Sequence, residues 1–336
     1  MYRNDTPSRV RRSLDNFEAR RQVMLEKGLA VYADPESYPD PAARVLKRDI
    51  YAATAALNLF YGKYVRESID QVIRTARWFD LPHPNGRDPR GESTFAAMGM
   101  LPTMYYNWDK LTDEARAAVD RFFLTKNFES MYESENHRLQ HHTALYLAGQ
   151  FYGERTFEWC GKTGTQMAAE TGAWLKRFVH FRAKEGWGEF DSLGYLDVDF
   201  GCLLLLADLS RDKELATISR MMLDVLLLDM VVDSKNGLYG GAHGRIYPPT
   251  ALNILRGGMA ADYYLYIGFD NDESERRALK FLPGVPVAAL MVDYRPDPVV
   301  LEMALGRVGA YENREAKHLH CIPKEQQPGR ISKYTY

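Results

Sequence analysis

The chain has few cysteines, no long apolar run and no strong excess of charge of either sign. Its three cysteines, Cys160, Cys202 and Cys321, are widely spaced, which excludes a disulfide framework and the ligand spacing of a zinc knuckle. A membrane-spanning helix needs about 18 uninterrupted apolar residues, and no stretch of the sequence approaches that length, so we predict no membrane partner. The net charge of −2 argues against a nucleic-acid partner, which would usually require a basic excess.

The N-terminal residues MYRNDTPSRVRRSLDNFEARR lack the apolar core of a secretory signal peptide. The sequence therefore leaves the cell compartment open. We expect a secreted or periplasmic protein if a signal peptide has been lost, and a cytoplasmic one otherwise. The oligomeric state is equally undetermined by the sequence.

Helical patterns separated by short polar breaks run along most of the chain. We predict helices over 9–31, 42–79 (one long helix or a broken one), 92–108, 112–132, 137–151, 166–182, 193–209, 212–232 and 249–265. Thr112 is suited to cap one helix and Ser210 another. No convincing strand alternation occurs before residue 285, so the pattern predicts an all-α fold of antiparallel helical hairpins. Stacked hairpins of this kind close naturally into an (α/α) toroid or an incomplete toroid.

The segment 283–336 differs from the helical domain that we predict over 1–282. Four prolines lie near its start: Pro283, Pro286, Pro296 and Pro298. They indicate a boundary or an extended segment. The final ISKYTY alternates as a strand does, but no partner strand follows it. We expect a chain truncated at the start of a C-terminal β-sheet domain; the alternatives are a strand that docks on the helices and a frayed tail.

The first candidate cluster, SENH, ends at His137, where a loop enters a predicted helix, and His141 follows one turn later. Free backbone N–H groups and the positive end of the helix dipole favour an anion there, which Asn136 and His137 would help to hold. The alternative is structural, with Asn136 as the helix cap and His137 in the first turn. His137 and His141 share a face, but zinc would need a third ligand, and the motif lacks the glutamate of zinc proteases.

The second cluster is the glycine-flanked loop GWGEFDSLGY, which ends at Tyr195. Aromatic and acidic side chains can converge on such a rigid loop, and Trp187, Glu189 and Tyr195 together favour a functional role. The alternative is that Asp191 or Ser192 caps the next helix while Trp187 packs in the core.

The third cluster is GGAHGRIYP, which places His243, Arg245 and Tyr247 among glycines. Glycine adopts backbone conformations that are closed to other residues and allows a ligand to approach closely. A plain loop would not need a histidine, an arginine and a tyrosine together. The alternative is a surface turn that carries a basic pair by chance.

The order of these motifs resembles the helical domain of heparinase-like and alginate-lyase-like polysaccharide lyases, over about residues 90–250. The resemblance implies an (α/α) toroid, often followed by antiparallel β-sheet domains. The residues that it implies for catalysis are Tyr195, His243, Asn136 and His137. The residues that we expect to bind substrate are Arg245, Trp187, Glu189, Tyr247 and His141. In this scheme Asn136 and His137 neutralise the substrate carboxylate, and Trp187 stacks on a sugar ring.

Lyases of this kind remove the proton at C5 of a uronic acid and expel the sugar linked at C4. A neutralised carboxylate beside C5 stabilises the enolate-like state, which explains the need for an amide, an imidazole or a guanidinium group. A tyrosine hydroxyl can take and return the proton if neighbouring cations lower its pKa from about 10. No metal or organic cofactor is required, and the expected partner is an acidic polysaccharide or oligosaccharide.

Two other functions are compatible with the sequence. A glycoside hydrolase on the same scaffold would need two carboxyl groups on either side of the scissile bond. The candidates are Glu135, Glu189 and Asp191, with Asp197 and Asp199 as further acids. A non-catalytic helical scaffold that binds a glycan or a protein is the other alternative, and it predicts that the three clusters do not converge.

Overall fold

A computed structural model gives the structure of the chain. It describes residues 16–30, 52–79, 93–125, 134–235, 238–240, 243–269, 272–282, 286–305 and 312. These residues are mostly helical, which confirms the all-α prediction at that level. Among the helices of these ranges, none is long and apolar enough to cross a membrane.

The helix bounds follow the sequence pattern closely in the middle of the chain. The first seven are α1 (Phe17–Gly28), α2 (Val65–Trp78), α3 (Ser93–Tyr106), α4 (Asp113–Thr125), α5 (Glu135–Tyr152), α6 (Gly164–Glu185) and α7 (Leu196–Leu209). The next six are α8 (Lys213–Val232), α9 (Pro248–Leu252), α10 (Met259–Tyr266), α11 (Asp272–Leu279), α12 (Val287–Met291) and α13 (Pro298–Leu305). Residues 52–60 are also helical, and short 3-10 turns cover Trp108–Lys110 and Ile254–Arg256.

Two small antiparallel hairpins interrupt the helices, and the sequence pattern does not predict them. Their strands are β1 (Thr156–Phe157), β2 (Lys162–Thr163), β3 (Ser234–Lys235) and β4 (Leu238–Tyr239). Phe157 pairs with Lys162 in the first hairpin, and Ser234 pairs with Tyr239 in the second. A strand of two residues is too short to show the alternation by which strands are identified in a sequence.

The chain divides into two compact units. The first unit comprises 1–27, 178–208 and 217–336, and the second comprises 28–177 and 209–216. The core of the first unit is rich in aromatic rings: Tyr266 lies between Phe200 and Tyr294, with ring centroids 5.7 and 5.2 Å away. The second unit has its own aromatic core, in which Tyr152 contacts Phe157 at 6.0 Å between centroids.

Within the described part of the second unit, the most extensive helix packing joins each helix to the helix after next: α2 to α4 and α3 to α5. Thr112 caps α4 as predicted, because its Oγ1 accepts the backbone N–H of Ala115 at 3.2 Å. The prediction that Ser210 caps α8 is wrong. Asp212 immediately precedes that helix, and its Oδ1 accepts the N–H groups of Glu214 and Leu215 at 3.0 and 3.1 Å.

The helical pattern predicted over 42–79 is broken before α2. Gly62 and Tyr64 have positive φ angles of 65° and 48°, which a continuing helix cannot contain. The segment predicted to be extended from 283 contains α12 and α13 among its described residues. Pro298 is the first residue of α13, a position where proline costs no hydrogen bond. The ISKYTY strand lies outside the described residues, and the domain boundary at 283 stays a prediction.

Candidate functional site

Two loops of the first unit lie against each other and bring together most of the predicted site. We call them the Trp187 loop (186–195) and the His243 loop (238–240 and 243–247). Gly244 donates its backbone N–H to the carbonyl of Phe190 at 2.7 Å, and a Cβ at Gly244 would lie 3.0 Å from the Phe190 nitrogen. Ser192 donates its hydroxyl to the carbonyl of Arg245 at 2.7 Å. The glycine is therefore needed for the close approach of the two loops.

An ion pair joins the loops. Arg245 donates to Glu189 at 2.8 Å, and both side chains are largely buried. The same guanidinium lies 3.9 Å from the ring centroid of Tyr195 and donates to the hydroxyl of Tyr247 at 3.0 Å. Burial lowers the pKa of Arg245, but the hydrogen bonds to Glu189 and Tyr247 outweigh burial and raise it, so the group stays charged. A fixed positive charge therefore faces two tyrosines.

The hydroxyls of those two tyrosines are 3.1 Å apart. Burial raises the pKa of Tyr195, and its hydrogen bond to Tyr247 raises it further, which outweighs the opposing charge of Arg245. The pKa of Tyr247 is lowered by its hydrogen bond with Tyr195 and by the hydrogen bond and charge of Arg245, which together outweigh partial burial and the charge of Glu189. Of the two phenols, the surroundings therefore lower the pKa of Tyr247 and raise that of Tyr195.

His243 is held by the Trp187 loop through Asp191. Its Nδ1 lies 2.6 Å from the carbonyl oxygen of Asp191, which can only accept a hydrogen bond. The Nδ1 atom therefore carries the proton, and in the neutral imidazole Nε2 carries the lone pair. Asp191 has a positive φ of 51°, and its Oδ1 accepts the hydroxyl of Tyr239 at 2.6 Å. This network orients the His243 ring.

Trp187 packs as a core residue. Its side chain is 5% exposed and meets the ring of Phe178 edge to face, with centroids 5.9 Å apart. A ring that stacks on a sugar must present an open face, so this packing fits the core alternative for Trp187. The side chains of Asp191 and Ser192 do not cap α7, which begins only at Leu196. Both side chains form hydrogen bonds to the His243 loop instead.

Asn136, His137 and His141 belong to the second unit. Because α5 begins at Glu135, Asn136 lies inside the first turn and is not the cap, and its Oδ1 accepts from Gln140 at 3.5 Å. His137 is buried and meets a phenylalanine ring edge to face. Burial, together with the charge of His142, lowers the pKa of His141 to about 3. His141 is therefore neutral at physiological pH and offers hydrogen bonds rather than positive charge.

Two acids of the first unit form a further cluster, of which sequence reasoning identified only Asp197. Asp197 lies in the first turn of α7, and its carboxylate packs directly on Gly258, where a Cβ would be 1.8 Å from Oδ2. Burial raises the pKa of Asp197 to about 7. Asp262, in α10, is 2% exposed, and burial together with the charge of Asp197 raises its pKa well above the ordinary value. In the sequence, Asp262 could have been recognised as a buried acid because it is the one acidic residue of the apolar run MAADYYLY.

No family model, no curated protein and no solved structure matches the chain. Within the described ranges, no group of three or more histidine, cysteine, aspartate or glutamate side chains is arranged to hold a metal ion. A functional proposal must therefore be argued from the geometry of the Trp187 and His243 loops. These loops place together a guanidinium group (Arg245), two hydrogen-bonded phenols (Tyr195 and Tyr247) and an oriented imidazole (His243).

Proposed function

We propose that the protein is a polysaccharide lyase that cleaves a uronic-acid-containing polysaccharide or oligosaccharide by β-elimination. The observation that carries this proposal is the contact of Arg245 with both tyrosines, 3.9 Å from the Tyr195 ring and 3.0 Å from the Tyr247 hydroxyl. A phenol beside a fixed cation is a base of the strength that removal of a weakly acidic C–H proton requires. The resemblance of the motifs to heparinase-like and alginate-lyase-like enzymes favours the same chemistry.

The roles follow from the contacts. Arg245 supplies positive charge for the substrate carboxylate and for a phenolate, and Glu189 holds the guanidinium in place. The hydroxyl pair of Tyr195 and Tyr247 and the Nε2 lone pair of His243 are the groups that can take the C5 proton. The roles of Asn136 and His137 at the carboxylate rest on the resemblance alone. The scheme uses no metal and no organic cofactor.

We also propose that the helices form the (α/α) toroid that the resemblance implies. The packing of α2 on α4 and of α3 on α5 supports it. Successive helices of a toroid alternate between an outer and an inner layer, so each helix contacts the helix after next within its own layer. A toroid would offer a wide cleft suited to a polymer chain.

The test is incubation with a panel of uronic acid polymers while the absorbance of the new C=C bond is followed. We expect a rise for at least one polymer and its loss when both phenols are removed, in Tyr195→Phe/Tyr247→Phe. The matched control is Tyr105→Phe, which removes a hydroxyl that donates to the Leu147 carbonyl at 2.7 Å in the second unit. A rise that the double variant retains would exclude the tyrosine pair from the reaction, and no rise with any polymer would count against a lyase.

A glycoside hydrolase is the second candidate, and a specific observation favours it. The raised pKa of Asp197, about 7, is what a general acid needs near neutral pH, and Asp262 is close enough to be influenced by its charge. Of the other predicted acids, Glu189 is committed to Arg245 and Asp191 to Tyr239. New reducing ends without a C=C absorbance, lost in Asp197→Asn, would establish hydrolysis. Binding without either product would favour the non-catalytic scaffold.

A further inference from the structure

The hydroxyl oxygen of Tyr247 has two hydrogen-bonding partners. Arg245 has no acceptor atom, so Tyr247 must accept in their 3.0 Å contact. The Tyr195 hydroxyl lies 3.1 Å away from the same oxygen. Either phenol could donate in that second contact. Ionisation of Tyr247 would fix the direction, because a phenolate oxygen can only accept, and the adjacent guanidinium favours that ionised form.

The two tyrosines also differ in what surrounds them. The ring of Tyr195 is half-buried beneath the guanidinium of Arg245, with 3.9 Å between the guanidinium carbon and the ring centroid. Tyr247 is 51% exposed, so its oxygen can reach a substrate in solvent. The charged groups that face the pair are Arg245, which favours the phenolate, and Glu189, which opposes it. Because Glu189 is ion-paired to the same arginine at 2.8 Å, its opposition is reduced.

We propose that Tyr247, and not the motif tyrosine Tyr195, supplies the phenolate that takes the substrate proton, while Tyr195 acts as its hydrogen-bond donor. The role in catalysis rests on the proposed lyase function; the ionisation of Tyr247 does not. The directions of the two pKa shifts agree with the assignment, since that of Tyr247 is lowered and that of Tyr195 is raised.

The proposed step needs only groups of the site and of the substrate to account for every proton and electron. The Tyr247 oxygen forms a bond to the C5 proton of the uronosyl residue, and the C–H electron pair passes into the enolate stabilised by Arg245. That pair then forms the C4=C5 double bond as the C4–O bond breaks. The leaving oxygen takes the proton from the Tyr247 hydroxyl, which restores the phenolate. No oxidant, reductant or co-reactant is consumed.

The first measurement needs no substrate. Phenolate absorbance is followed as the pH of the protein solution is raised, and we expect one tyrosine to ionise below the ordinary pKa of about 10. Tyr247→Phe should abolish that early step. Tyr195→Phe should keep it but move it to higher pH, because one of the two donors is lost. Tyr239→Phe is the matched control, since its hydroxyl donates to Asp191 in the same pair of loops and burial raises its pKa.

Two results of the titration would overturn the assignment. One is an early step that survives in Tyr247→Phe and disappears in Tyr195→Phe. The other is a wild-type protein in which no tyrosine ionises early. Circular dichroism of each variant establishes that it is folded, and because the Tyr247 side chain is half exposed we expect no loss of structure.

The second measurement is activity on the polymer that the wild type cleaves. Tyr247→Phe should lower kcat/KM by roughly 10²–10⁴-fold, the usual contribution of a general base. Tyr195→Phe should instead move the acidic limb of the pH–rate profile to higher pH. If Tyr247→Phe retains the wild-type rate, the assignment is wrong. If the early phenolate is found but no polymer is cleaved, the ionised Tyr247 stands and the lyase function fails.

Discussion

The pair of Asp197 and Asp262 makes the stability of the protein depend on pH, and one substitution should reduce that dependence. Asp197→Asn should stabilise the fold at about pH 8 and have little effect at about pH 4. The folded pKa of Asp197 is raised from 3.8 to about 7, so between these values the folded state binds a proton that the unfolded state has released. Such a group contributes stability below its unfolded pKa, and that contribution is lost as the pH rises through the folded pKa.

The magnitude follows from the shift. A rise from 3.8 to about 7 corresponds to at most about 4 kcal/mol, at 1.36 kcal/mol per pKa unit. Because the residue as a whole is only partly buried, solvent screens part of this cost, and we expect a gain of roughly 1–3 kcal/mol at alkaline pH. The asparagine oxygen can still accept the backbone N–H of Val198 that the carboxylate accepts. Removal of the charge also relieves Asp262, whose pKa Asp197 raises.

Urea denaturation of wild type and variant at about pH 4, 6 and 8 tests this expectation. The difference in unfolding free energy between the two proteins is the quantity of interest, since titrating groups away from the pair contribute equally to both. Asp293→Asn is the matched control, because that carboxylate is exposed and its removal should change stability by under about 0.5 kcal/mol at every pH. A difference between Asp197→Asn and wild type that stays constant with pH, or that shrinks as the pH rises, would refute the reasoning.

Four further substitutions follow from packing and hydrogen bonding. Gly258→Ala should lower the melting temperature sharply, with a loss of more than about 2 kcal/mol, because its Cβ would lie 1.8 Å from the Asp197 carboxylate; an unchanged melting temperature would contradict the packing. Thr143→Val should stabilise the protein by about 1 kcal/mol in urea denaturation, because the buried Thr143 hydroxyl has no hydrogen-bond partner in the described part of the chain. Thr171→Val should destabilise the protein by about the same amount, because the Thr171 hydroxyl donates to a backbone carbonyl at 2.6 Å. A stability change of the same sign in both would count against this account. Gly244→Ala should separate the Trp187 and His243 loops and cost about 1–3 kcal/mol, together with any activity that depends on them, which melting and product assays can check on the same sample.

Much of the secondary structure could be predicted because helix formation is local. The predicted helix 212–232 matches α8, and Thr112 caps α4, since periodicity and capping depend on residues within about a turn of each other. Helix ends were harder to predict. Asn136 lies inside the first turn of α5, because that helix begins two residues before its predicted start at 137, and Asp212 rather than Ser210 caps α8. A shift of one or two residues changes which side chain meets the free N–H groups.

The two loops of the candidate site could be predicted from the sequence, but the contacts between their side chains could not. Glycines around His243 and Arg245 indicated a close approach, and Gly244 does pack on the Trp187 loop. The motif alone favours Tyr195 over Tyr247 as the catalytic tyrosine. The order of their pKa values depends instead on burial and on one guanidinium that contacts both, and neither is a property of the local sequence.

The sequence by itself determined the helical class of the fold, the cap at Thr112 and the two glycine-containing loops, because these depend on neighbours along the chain. The tertiary structure alone decided that Trp187 packs in the core, that Asp262 is buried within reach of the charge of Asp197, and that Arg245 faces both tyrosines. Desolvation and charge–charge interactions act between residues that are distant in sequence, so they exist only once the chain has folded.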